Sequence, residues 1–119
     1  MKKGSIKALS AVSPAGQLIA AGWKTIEVRR WLPELSPDED LLIVENPNYL
    51  MKDGDEEAGI AVAVVNIRSV RPFTSDDISA ACASCFEEGW FAWEISQVRR
   101  LSPVKSVKAA RKIYSIEWD

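Results

Sequence analysis

Residues 60–70, Ile-Ala-Val-Ala-Val-Val-Asn-Ile-Arg-Ser-Val, are rich in β-branched side chains, and the run ends at Pro72. This predicts one long strand, because branched side chains suit a pleated surface and proline cannot donate to a ladder. Shorter strands are predicted over Ile6–Ser10, Leu41–Glu45, Trp90–Val98 and Lys112–Trp118. Thr25-Ile26-Glu27-Val28-Arg29 alternates, so Ile26 and Val28 face inward while Thr25, Glu27 and Arg29 share the other face. Residues 46–58 read as a polar loop with a turn near Tyr49–Lys52.

Two stretches read as helices. Ser13-Pro14 offers an N-cap and a first-turn proline, Ala15, Leu18 and Ile19 form an apolar stripe, and Gly22 supplies the stop. Thr74-Ser75-Asp76-Asp77 predicts a second helix start, followed by a stripe of Ile78, Ala81, Cys82, Cys85 and Phe86 and closed by Gly89. The order β-α-β-β-β-α-β-β belongs to the α+β class: a curled mixed sheet with helices at its rim.

At 119 residues the chain is expected to form a single domain, residues 1–119. An apolar share of 47 % with 27 % charged residues suits a globular protein, and no apolar stretch approaches the roughly 18 residues of a membrane span. Lys7 interrupts the apolar residues after the basic Met1-Lys2-Lys3 start, so no signal peptide is expected and the default location is the cytoplasm. The chain has no histidine, which removes Ser-His-Asp and Cys-His catalysis and the usual zinc sites. No metal or cofactor is expected, and any proton transfer falls to lysine, carboxylate, tyrosine, cysteine or water.

Charge is unevenly placed. Residues 1–30 carry six Lys/Arg against Glu27 alone, residues 31–60 nine acids against Lys52 alone, and residues 91–119 six bases against three acids. A fold that brings the two ends together would present a basic face able to attract phosphate; the alternative is an ordinary mixed surface.

The densest chemistry lies in Gly22-Trp23-Lys24-Thr25-Ile26-Glu27-Val28-Arg29-Arg30-Trp31. Glu27 and Arg29, two apart on a strand, can form a charge-assisted pair, and Lys24 can swing over the same face. In a partly dry cleft such a lysine can serve as a base. On open surface the same residues are a solvated ion pair of little consequence.

These residues carry a family resemblance. Ala8-Leu9-Ser10, Pro14, Leu18-Ile19 and then Gly22-x-Lys24-Thr25-Ile26-Glu27-x-Arg29-x-Trp31 resemble the N-terminal signature of ASCH domains, relatives of the PUA RNA-binding domain. Trp90-Phe91-Ala92-Trp93-Glu94-Ile95, Val98-Arg99-Arg100-Leu101, Pro103-Val104 and Ile116-Glu117-Trp118 are similar to its C-terminal part. The resemblance implies a small mixed PUA-like β-barrel with two or three flanking helices, and a cleft around the G-x-K-x-x-E-x-R motif that binds RNA or a modified nucleoside. Lys24 and Arg29 would supply positive charge, Glu27 would read a base edge or orient Arg29, and Trp23, Trp31 or Trp90 would stack a base.

Some small members resemble it as amidohydrolases that deacetylate acetylated cytidine with a lysine, a threonine nucleophile and a glutamate. Here the lysine falls on Lys24, but the threonine position falls on Glu27. In that reading Lys24 would be the base and Thr25, on the same strand face as Glu27, or an activated water the nucleophile, with Glu87 and Glu88 as loose matches for the glutamate.

Other features have plainer readings. Cys82-x-x-Cys85 has no second ligand pair, and both cysteines fall in the helix stripe, so core packing is expected. Trp93 and Trp118 are expected inside, whereas Trp23, Trp31 and Trp90 either stack a base, typically worth about 1–3 kcal/mol, or pack at the rim. Asn66 and Arg68 share one strand face, reaching either the cleft or solvent. Arg99, Arg100, Lys105, Lys108, Arg111 and Lys112 form a basic run suited to phosphate or to plain solvation. Three readings follow: an RNA- or nucleoside-binding module, an amidohydrolase, or an adaptor using the acidic residues 33–57 as its surface.

Overall fold

The computed structural model describes residues 4–118; Lys2 and Lys3 of the basic N-terminal count lie outside them, as does Asp119. The elements are β1 (Gly4–Val12), α1 (Ala15–Ala20), β2 (Ile26–Arg29), β3 (Leu41–Asn46), β4 (Glu56–Pro72), a single 3-10 turn (Ser75–Asp77), β5 (Phe91–Ala110) and β6 (Ile113–Trp118). All six strands join one sheet in the order β2-β5-β4-β3-β1-β6. Only β1 and β3 run parallel. The two chain ends do meet, with Gly4 opposite Trp118 in the β1–β6 ladder.

The centre of the sheet is covered on both faces. Along β3, Leu41 and Ile43 enter one cluster with Leu9, Ile19, Val65 and Trp93, while Leu42 and Val44 enter another with Ala8, Ala61 and Ala109. Strands buried on two faces lose hydrophobic alternation, which is why residues 41–44 and 61–65 read as near-continuous apolar runs. A third cluster of Ile26, Phe73, Ala81 and Ala92 seats β2 and the turn beyond β4.

Four expectations need correction. First, the sheet is open among the described residues: β2 pairs only with β5 and β6 only with β1. The gap on the β1 side of β2 is crossed by side chains instead, with Arg29 Nη2 donating to Ser10 O at 2.8 Å. Second, one α-helix forms, not two or three. The Thr74/Asp77 capping box is present, yet the helix does not propagate. Thr25 and Ile26 N–H take the Ala80 carbonyl and Lys24 Nζ takes that of Ala81, acceptors a helix would have given to residues 84 and 85. Cys82 then turns into the left-handed region at φ 52°, and Cys82, Cys85 and Phe86 are exposed, so the cysteines are not core.

Third, β5 continues past Val98 to Ala110. The register passes from Ala63↔Arg100 to Ala61↔Lys105, so residues 101–104, which include Pro103, bulge out and the ladder resumes. Ser13 is also not the cap of α1. Pro14 holds that position with no side-chain bond, and Glu45 Oε2 of β3 accepts from Gln17 N–H at 2.8 Å. Gly16 makes room for that carboxylate, since a Cβ there would lie 2.7 Å from Glu45 Cβ. No helix among the described residues is long and apolar enough to cross a membrane.

Candidate functional site

The site begins where α1 stops. Gly22 lies at φ +84°, with its N–H on Ile19 O and the Trp23 N–H on Leu18 O, the paired bonds of a Schellman cap. The turn sends Trp23 outward, 75 % exposed, and Lys24 inward, only 7 % exposed. Lys24 Nζ lies 2.5 Å from Ala81 O and 3.5 Å from Glu27 Oε1. Glu27, also 7 % exposed, accepts from Arg29 Nη2 at 3.0 Å and from Val28 N–H at 3.2 Å. Burial pushes the Glu27 carboxyl up, but Arg29 and then Lys24 outweigh it and hold the group below its ordinary range. The result is a buried cation–anion–cation chain, pinned to β1 through Arg29 and Ser10.

This chain lines a cavity of about 350 Å³. Its far wall comes from β1, the end of β3 and the loop after it. Ser10 is fixed there by the Tyr114 hydroxyl at 2.8 Å, with Ala110 N–H donating to its Oγ at 3.2 Å. Asn46 donates from Nδ2 to Asn48 O and to Glu57 Oε2, both at 2.6 Å. Its Oδ1 is buried and has no protein partner among the described residues. Tyr49, 78 % exposed, stands at the mouth. The site thus offers cationic donors and an ionised carboxylate within a single concavity, with Asn46, whose enclosed Oδ1 is unpartnered, as part of its wall.

Residues 9–105 match the ASCH domain family. The chain belongs to that family. A serine-to-alanine variant of ZmASCH from Zymomonas mobilis is similar in fold, with a TM-score of 0.52 at 14 % identity over 79 % of this chain and 69 % of that one. A tyrosine-to-phenylalanine variant of the same protein gives 0.56 at 13 % identity, over 85 % of this chain and 73 % of the other. No curated protein matches the chain.

In this ASCH domain the structure brings Lys24, Glu27 and Arg29 together at the cavity floor. It does not bring Thr25 there: the residue is exposed and absent from the lining. Glu87 is also outside, at 3.7 Å from Arg30, and Glu88 is exposed. Trp31 and Trp90 line an adjoining lobe of about 620 Å³, while Trp23 lines neither. Asn66 serves elsewhere, tying Glu39 O, Asp40 and Arg99, and Arg68 pairs with Glu94. Among the described residues, no group of three or more His, Cys, Asp or Glu side chains is placed to hold a metal ion.

Sequence reasoning missed Asn46 and Tyr49 as site residues. Asn46 ends a buried strand, where an amide has no periodic signature. Tyr49 sits in a polar loop, where the one available signal is an aromatic side chain with no apolar neighbours at helix spacing.

Proposed function

We propose that the cleft binds a nucleobase, carried by RNA or presented as a modified nucleoside. The observation that carries this reading is the Lys24–Glu27–Arg29 chain, largely buried and lining a void of about 350 Å³ whose wall also holds the unpartnered Asn46 amide. A buried polar acceptor left without a partner is unfavourable by about 1–3 kcal/mol, so a ligand donor that reaches it is rewarded. A base edge presents alternating donors and acceptors, which the floor and the Asn46 amide can meet together. Tyr49 adds an exposed ring on which a base can stack.

Binding is favoured over amide hydrolysis. Both contacts of the Lys24 ammonium are acceptors, so it stands as a donor, and the exposed Thr25 hydroxyl lies away from the cavity. Calorimetric titration of the whole chain with cytidine, acetylated cytidine and short oligoribonucleotides at low salt tests the reading. Saturable binding that weakens about tenfold or more in Glu27→Gln, with acetylated cytidine recovered intact, is the expected result. Absence of any binding would overturn it, and release of cytidine that Lys24→Ala abolishes would replace it with the hydrolase reading.

A further inference from the structure

The cavity does not end at the Lys24 cluster. It opens into the second lobe, and Arg29, Tyr49, Arg111 and Lys112 line both. The second lobe adds Arg30, Trp31 and Trp90, and none of its lining residues is acidic. A concavity walled by cations and aromatic rings without a carboxylate suits a phosphate next to a flat apolar group. The rings differ in availability. Lys112 Nζ lies 5.9 Å from the Trp31 ring centre and the Arg30 guanidinium 5.5 Å from that of Trp90, whereas the Tyr49 ring stands 78 % exposed.

A second observation comes from the turn itself. Arg111 and Lys112 are the two residues that join β5 to β6. Lys112 lies at φ 59°, a left-handed conformation that a Cβ disfavours and that glycine adopts freely. β5 and β6 are not ladder partners, so these two residues form a tight corner between strands that β4, β3 and β1 separate in the sheet, rather than a hairpin turn. Here the turn carries two long cations, with Arg111 steadied by Asp53 at 2.6 Å. A residue kept in a disfavoured conformation where an easier one exists points to a use for its side chain.

We propose that this turn is a second subsite of the cleft. Arg111 and Lys112 hold the phosphodiester that follows the base in the first lobe, and the neighbouring base lies in the second lobe against Trp90, displacing the exposed Arg30. Tyr49 stacks at the junction. The ligand is therefore a single strand of at least two nucleotides rather than a free nucleoside. This rests on the base-binding reading of the first lobe and extends it.

The test compares the affinities of the whole chain for a ribonucleoside, its 5′- and 3′-monophosphates and a ribodinucleotide, all at low salt. The same titrations are run on Lys112→Gly and Arg111→Gln, with a melting curve for each variant. The dinucleotide should bind about tenfold or more tighter than the nucleoside and more tightly than either monophosphate. Each variant should remove most of that advantage, lowering dinucleotide affinity by a clearly larger factor than nucleoside affinity, and Lys112→Gly should melt no lower than the parent. Equal affinity for nucleoside and dinucleotide, or variants that weaken both in proportion, would overturn the subsite. A monophosphate that matches the dinucleotide would overturn its second-base half. Binding of none of the four would overturn the parent reading itself.

Discussion

Two ionic clusters of nearly the same composition lie in this molecule, and they do different things. One is Lys24–Glu27–Arg29; the other joins Arg68 and Arg71 to Asp77 and Glu94. In the second, Asp77 accepts both Arg71 Nη groups at 2.7 and 2.8 Å, and its Oδ2 also accepts from Thr74 N–H and Oγ. Glu94 receives Arg68, Ser69 and Arg71. These contacts fasten the corner between β4 and the 3-10 turn, and the acidic members line no cavity described above. The first cluster is more deeply buried and lines a void whose wall also holds the unpartnered Asn46 amide. Charge alone does not make a site; spare bonding capacity beside space does.

The largest effect should come from breaking the buried chain. Glu27→Ala leaves two cations facing each other with no carboxylate between them, and such a loss typically costs about 3 kcal/mol or more. A denaturant titration should show that drop together with lost ligand affinity. Asp77→Ala should cost about 2 kcal/mol through the stranded Arg71 and Thr74 donors, with ligand affinity unchanged. If Asp77→Ala weakened ligand binding as much as Glu27→Ala does, the distinction between the clusters would fail.

Acid should separate them next. Hydrogen bonds from Arg71 hold the Asp77 carboxyl far below its ordinary 3.8, and Glu27 is held below 4.5 despite burial, which by itself would raise it. Folded values below unfolded ones mean that this stability is complete above the unfolded pKa and is lost as pH falls through the folded one. Unfolding free energy should therefore be level above about pH 5 and decline on acidification. Glu27→Gln should flatten the decline just below pH 4.5, and Asp77→Asn the most acidic part; superimposable profiles for parent and variants would contradict these assignments.

How much of this was legible in sequence depends on how local each feature is. The motif from Gly22 to Arg29 was readable because a helix stop followed by an alternating strand sets Lys24, Glu27 and Arg29 relative to each other within eight residues. Asn46, Tyr49, Arg111 and Lys112 reach the same cavity from distant segments, and only the β1–β3 and β5–β6 connections bring them there. The second helix was misread because the competitors for its carbonyls, Lys24, Thr25 and Ile26, lie more than fifty residues earlier. The length of β5 was not legible because its ladder resumes only after the bulge at residues 101–104, which no local pattern announces.

The smallest effect falls on the turn that joins the two clusters. Cys82 and Cys85 are exposed, so Cys→Ser at either should change stability by no more than about 0.5 kcal/mol. Both thiols should react with a thiol-specific dye in the folded protein; protection of both until unfolding would restore the packed helix.

The most direct measurement of the central claim is a low-salt titration of a short single-stranded oligoribonucleotide into the parent protein, Glu27→Gln and Asp77→Asn. The account predicts saturable binding by the parent, the same affinity in Asp77→Asn, and a loss of about tenfold or more in Glu27→Gln. Equal affinities for all three would contradict a ligand site at the buried Lys24–Glu27–Arg29 chain.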